Sequence, residues 1–136
     1  MNIMFFLTPK SETIYEQLHS SMRQAAERMD YHHLSAIPII DDLGVYIGTL
    51  TEGDLLRKLK ETPTLSFENT SKISIADIPR KVVHKTAPVG MDIENIIELA
   101  RTQNFVPVTD DEGIFIGIIK RSDIIDFCYK TMINKP

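Results

Sequence analysis

An α+β fold is predicted, built from two copies of one strand-helix-strand-strand-helix unit. Three features of the sequence predict it: a gapless internal repeat, a matching amphipathic helix ahead of each copy, and a polar stretch without period between them. Residues 36–56 align with residues 105–125 at a constant shift of 69, which pairs Pro38 with Pro107, Asp41 with Asp110, Gly44 with Gly113, Gly48 with Gly117 and Asp54 with Asp123. A unit of about 55 to 60 residues is marginal by itself, because so little of its surface can be buried. The two copies are therefore expected to share a core, sheet packed on sheet, as one module with a pseudo-two-fold relation and two related clefts.

The elements follow in order. Pro9-Lys10 and Pro79-Arg80, 70 residues apart, open the units with a proline followed by a cation. Met22, Ala25, Ala26 and Met29 have the i, i+3, i+4, i+7 spacing of an amphipathic helix. Ile93, Ile96, Ile97 and Ala100 repeat it at a shift of 71, so the loop after the helix is expected to be two residues shorter in the second copy. The runs AIPII (36–40) and FVPV (105–108) are short buried strands, with proline at a strand start or edge. In DDLG and DDEG an aspartate opens a turn and glycine takes the positive φ of a short hairpin. The strands VYIGTL and IFIGII return, and helices begin at Thr51 and Lys120. Leu55, Leu56 and Leu59 are expected on the inner face of one helix, Ile124, Ile125 and Cys128 on that of the other. Residues 1–62 form the first unit, 63–74 a linker and 75–136 the second.

Composition narrows the function. With 136 residues, 43% hydrophobic and 25% charged, the chain is an ordinary globular one that needs no metal, disulfide or cofactor to fold. A net charge of −4 argues against nucleic acid, which wants a clustered basic surface. The single Cys128, between Phe127 and Tyr129, suggests a core thiol in a reducing compartment. Ile3 to Leu7 is too short an apolar run for a leader or a membrane span, so a cytoplasmic protein with no membrane partner is expected. His19, His32, His33 and His84 have no recognisable metal-ligand spacing, and no catalytic motif stands out.

The doubled motif is where chemistry is concentrated. GTLTEGD, Gly48 to Asp54, offers a glycine that permits close approach, then a hydroxyl and a carboxylate in the first turn of a helix. Two readings fit. Thr51-x-x-Asp54 has the spacing of a capping box, in which both side chains satisfy the helix's own free N–H groups. Those same N–H groups and the helix dipole attract phosphate, and an aspartate one turn in can accept from a ribose diol. The second copy weakens the first reading, because Lys120 cannot cap as a hydroxyl while Asp123 is kept. Lys120 and Arg121 also place two cations where the first copy has Thr51 and Glu52, so the second site is expected to favour di- or polyphosphate.

These motifs, recurring in order in both halves, resemble a tandem CBS domain pair, or Bateman module, of the small free-standing bacterial type; the resemblance runs from Leu7 to Met132. It implies a regulatory, non-enzymatic module that binds adenine nucleotides of the AMP, ADP or ATP type in clefts between the two units. In such pairs the hydroxyl and aspartate contact phosphate and ribose, and apolar residues hold the adenine. Carried over, Gly48, Thr51 and Asp54 complete the first motif, whereas the second departs from the pattern at Lys120 beside Arg121 and Asp123. Ile37, Pro38, Val106 and Pro107 are the apolar candidates, and Lys10 and Arg80 add one cation each if the opening segments line the clefts. Which segment serves which motif is open. The resemblance further implies a homodimer, for which Phe127 and Met132 are spare apolar positions, and an effector protein as partner. Two alternatives stand beside it: a cyclic di-AMP receptor, and a ligand-free dimerisation or docking module that needs only the apolar faces.

Overall fold

A computed structural model describes residues 2–81 and 83–134; the expected outer boundaries at residues 1 and 136 lie outside the described residues. After a short strand β1 (Leu7–Pro9), the first copy runs β2 (Glu16–Gln17), α1 (Met22–Tyr31), β3 (Ala36–Ile40), β4 (Tyr46–Thr51) and α2 (Glu52–Glu61). The second runs β5 (Ala87–Pro88), α3 (Ile93–Ala100), β6 (Phe105–Thr109), β7 (Phe115–Lys120) and α4 (Arg121–Ile133). The strand-helix-strand-strand-helix order is present twice, as the repeat predicts.

Local chemistry explains the elements. In both hairpins the first aspartate closes the turn: Asp41 Oδ1 accepts from the Leu43 and Val45 amides at 2.9 Å, and Asp110 Oδ1 from those of Glu112 and Ile114 at 2.9 Å. Gly44 and Gly113 then take φ of 84° and 81°, which a side chain disfavours. Helix α1 opens with a capping box between Ser21 and Gln24 and ends on His33 at φ 57°, where the Leu34 amide reaches back to Met29 O at 2.8 Å. The expected shortening falls elsewhere than in the loop. Residues 32–35 and 101–104 are equal connections, and it is α3 that is two residues shorter than α1, 8 against 10.

The compact units in space are not the sequence repeats. One comprises Ile14–Val83, the other Met1–Thr13 with His84–Pro136. In the first, β2-β3-β4 form a sheet whose Ile37, Ile39 and Leu50 pack on Met22, Ala25 and Met29 of α1, together with Ile75 and Ile78. In the second, the sheet β1-β7-β6-β5 presents Val106, Val108 and Ile119 to Ile96 and Ala100 of α3 and Ile124 of α4, with Ile3 sealing the cluster. Each opening segment thus completes the core of the other copy. Residues 63–74, expected as a linker, are folded onto α1: the Met22 amide donates to Ile73 O at 2.7 Å, and a 3-10 helix at Glu68–Lys72 buries Thr70.

Helices α2 and α4 differ from expectation on their inner faces. Asp54 is the buried residue of α2 and Ile124 that of α4, whereas Leu56 and Ile125 are 60% and 58% exposed and Leu59 is 40% exposed. Each helix packs along a narrow line, so of the apolar stripes Leu55 reaches one core and Ile124 and Cys128 reach the other, as expected of those three, while Leu56, Leu59 and Ile125 do not.

Candidate functional site

The first constellation gathers where β4 runs into α2. Thr51 is the N-cap: its Oγ1 accepts from the Asp54 amide at 3.1 Å, and Asp54 Oδ2 accepts from the Thr51 amide at 3.0 Å. The capping box is therefore formed. Asp54, 1% exposed, also holds the Arg57 guanidinium and accepts from the Lys81 amide at 3.3 Å through Oδ1. Burying a carboxylate is costly unless donors surround it as they do here.

Arg80 lies over the same turn. A methyl group on Gly48 meets its Nε at 2.8 Å, so the guanidinium rests on bare strand backbone that only glycine leaves open. Among the described residues it meets no carboxylate within ion-pair distance. Tyr46 sits in its field: burial pushes the phenol above its ordinary value, while a 2.6 Å hydrogen bond to Thr49 Oγ1 and the Arg80 charge pull it back.

The second constellation has the same backbone and a different chemistry. Pro9 of β1 is in register with Gly117, so Lys10, which follows it, belongs to this motif. The crossing left open by the sequence is thus decided: Arg80 accompanies Gly48, and Lys10 accompanies Gly117. Lys120 is the N-cap of α4 and provides no side-chain cap. Asp123 is exposed, has no hydrogen bond or ion pair among the described residues, and lines a groove with Leu7, Thr8, Asp126 and Lys130. Lys130 pairs with Asp126 at 2.9 Å. Arg121, expected as a second cation beside Lys120, turns to the end of α3, where its Nε donates to Ala100 O at 2.9 Å and Gln103 O at 3.1 Å.

The apolar candidates divide by strand alternation. Ile37 and Val106 point into the cores of their own units, and Pro38 and Pro107, also buried, lie on the opposite sheet faces. Spare apolar positions divide too: Phe127 stacks edge-on against Phe6 with centroids 5.2 Å apart, whereas Met132 is 75% exposed. Sequence reasoning missed Arg57 and Asp126. Both were readable, since each stands three residues after the motif aspartate, within one helical turn, and they occupy equivalent repeat positions with opposite charge.

No helix of the described residues is long and apolar enough to cross a membrane. The CBS domain family model matches residues 8–61 and 75–130. Inosine-5'-monophosphate dehydrogenase of Helicobacter pylori is 25% identical over 116 residues, which is 84% of this chain but 22% of that protein, so the chain spans about a fifth of that relative's length. Two solved structures share the fold. CbpB of Listeria monocytogenes in complex with c-di-AMP aligns with a TM-score of 0.80 at 16% identity, covering 98% of each chain. CBSX2, a protein of Arabidopsis thaliana, aligns in its complex with AMP at a TM-score of 0.75 and 21% identity, covering 96% of this chain and 98% of that one. With a twice-matched domain model covering most of its length and the same unit seen twice in space, the chain belongs to the CBS domain family, as a tandem pair.

Proposed function

We propose that the chain is a regulatory, non-catalytic module that senses an adenine nucleotide, with one binding constellation in each unit. The observation that carries this is Arg80, a half-buried guanidinium laid on the bare backbone of Gly48 beside the first turn of α2, with no carboxylate of its own among the described residues. A phosphate there meets a fixed cation and a helix N-terminus at once. In the other unit Lys10, Lys120 and the open Asp123 supply two cations and a ribose acceptor. Asp54 must release Arg57 or the Lys81 amide before it can accept from a ribose, so the two constellations bind with unequal affinity. Pro38 and Pro107 are the apolar candidates for the adenine; both are buried, so a ligand must displace what covers them, and Ile37 and Val106 face the cores of their own units. AMP in CBSX2 and c-di-AMP in CbpB support the ligand class.

Calorimetry with AMP, ATP and c-di-AMP tests the reading. Arg80→Ala is expected to weaken AMP at one constellation by about tenfold, the worth of a charge-assisted hydrogen bond. An unaltered protein that binds none of the three at millimolar concentration overturns it in favour of a ligand-free docking module. A c-di-AMP receptor is the second reading, favoured by Lys10 and Lys120 on the Asp123 side; tighter binding of c-di-AMP than of AMP, lost in Lys120→Thr, selects it. We infer further that the protein works in the cytoplasm as a homodimer through its helical faces and passes its signal to an effector protein.

A further inference from the structure

The three bonds that Asp54 accepts differ in kind. Thr51 and Arg57 stand three residues to either side of it, so the first turns of α2 hold both donors in place. Lys81 comes 27 residues later and is exposed; its amide lies 3.3 Å from Oδ1, against 3.0 Å for the Thr51 amide on Oδ2, and it lacks the donor charge of Arg57. It is therefore the weakest of the three. The chain reaches it through Ile78, fixed in the core, and Arg80, laid on Gly48, and the unit ends two residues further on at Val83. A carboxylate has about four acceptor positions, of which these bonds fill three, and a ribose diol brings two donors. One bond must therefore give way to the diol.

We propose that the Lys81 amide is a latch on Asp54: a nucleotide whose ribose takes Asp54 displaces this amide and detaches Lys81 from α2, while Thr51 and Arg57 stay bound. This rests on the reading that an adenine nucleotide binds at Asp54, and it adds what that binding moves. The other copy has no such latch. Lys81 corresponds to Ser11 at the opening shift of 70, and Asp123 has no hydrogen bond or ion pair among the described residues, so a ribose on Asp123 releases nothing. Occupancy of the Asp54 constellation is thus passed to the end of its unit, and occupancy of the Asp123 constellation is not. The coupling is reciprocal: whatever pulls Lys81 away from Asp54 raises the affinity for the nucleotide.

Amide hydrogen exchange of the full chain by nuclear magnetic resonance, with and without AMP, tests this, and calorimetry on the same samples reports occupancy. At saturating AMP the Lys81 amide is expected to exchange about fivefold faster, the worth of one hydrogen bond, while the Thr51 and Asp54 amides and the Arg57 guanidinium signals hold. The acceleration is expected to persist in Asp123→Ala, where the ribose acceptor of the other constellation is gone. AMP that binds while Lys81 exchange stays the same or slows overturns the latch and leaves nucleotide sensing standing. So does a response of Arg57 in place of Lys81, which makes the guanidinium the group that yields. A protein that binds none of AMP, ATP and c-di-AMP overturns the sensing reading, and the latch with it.

Discussion

Gly48 and Gly117 hold the same place in the repeat, yet an arginine side chain lies on one and a strand on the other. The Gly117 backbone, at φ 153°, is covered by Thr8 and Pro9 of β1, whereas Gly48 is covered by Arg80. The contrast extends outward. In the Ile14–Val83 unit the motif hydroxyl, aspartate and Arg57 satisfy one another, and a second buried carboxylate, Glu16, takes Arg28 at 2.7 Å and Ser20 at 2.7 Å. In the other unit the positions of Glu16 and Arg28 are Ala87 and Leu99, and those of Thr51 and Arg57 are Lys120 and Asp126. One copy closes its polar groups locally; the other closes its backbone with an added strand and leaves its charges outward. The same fold thus presents a cation over a capped helix in one unit and an uncapped helix with a free carboxylate in the other.

Substituting the two glycines is the strongest way to break this contrast. A methyl group on Gly117 collides with the Thr8 carbonyl and sits at a φ that L-residues avoid, so Gly117→Ala is expected to displace β1 and cost about 3 kcal/mol or more in denaturant unfolding. Gly48→Ala meets only the side chain of Arg80 and is expected to change stability by less than about 1 kcal/mol, while weakening the nucleotide bound there. Equal losses in the two variants refute the idea that backbone fills one site and side chain the other.

The aspartates come next. Asp54→Ala strips a buried carboxylate from two backbone amides and Arg57, and a loss of about 2 kcal/mol is expected, discounted because Arg57 is partly solvated. Asp123→Ala is expected to leave thermal unfolding unchanged and to act on ligand affinity alone. A destabilised Asp123 variant reveals a structural role that its exposure does not suggest. The smallest effect sharpens the comparison: Asp126→Arg gives α4 the i, i+3 pair that α2 has but breaks the Asp126–Lys130 pair and sets two cations at i, i+4, so a net loss of a few tenths of a kcal/mol is expected in denaturant unfolding. It also places a cation beside Asp123, so weaker ribose acceptance is the accompanying sign in calorimetry.

Much of this was legible in the chain, because the deciding interactions are local. Periodicity located α1 and α3, aspartate and glycine at fixed offsets made both hairpins, and a hydroxyl three residues before a carboxylate made the Thr51 capping box. Each of those forms within one turn of helix or one tight turn, so residue order alone determines it. The tertiary structure decided what depends on distant partners. It crossed the opening segments, sending Ile3 and Pro9 to the second copy and Ile78 and Arg80 to the first, because each core lacked an apolar residue that only a segment far along the chain supplied. It turned Arg121 from an expected ligand cation into the partner of two carbonyls at the end of α3, and it left Leu56 and Ile125 facing outward, since a helix packed along one line buries one stripe. Spacing names the residues that can act together, but a side chain goes to whichever unsatisfied group lies within its reach, and that is set only once the chain has folded.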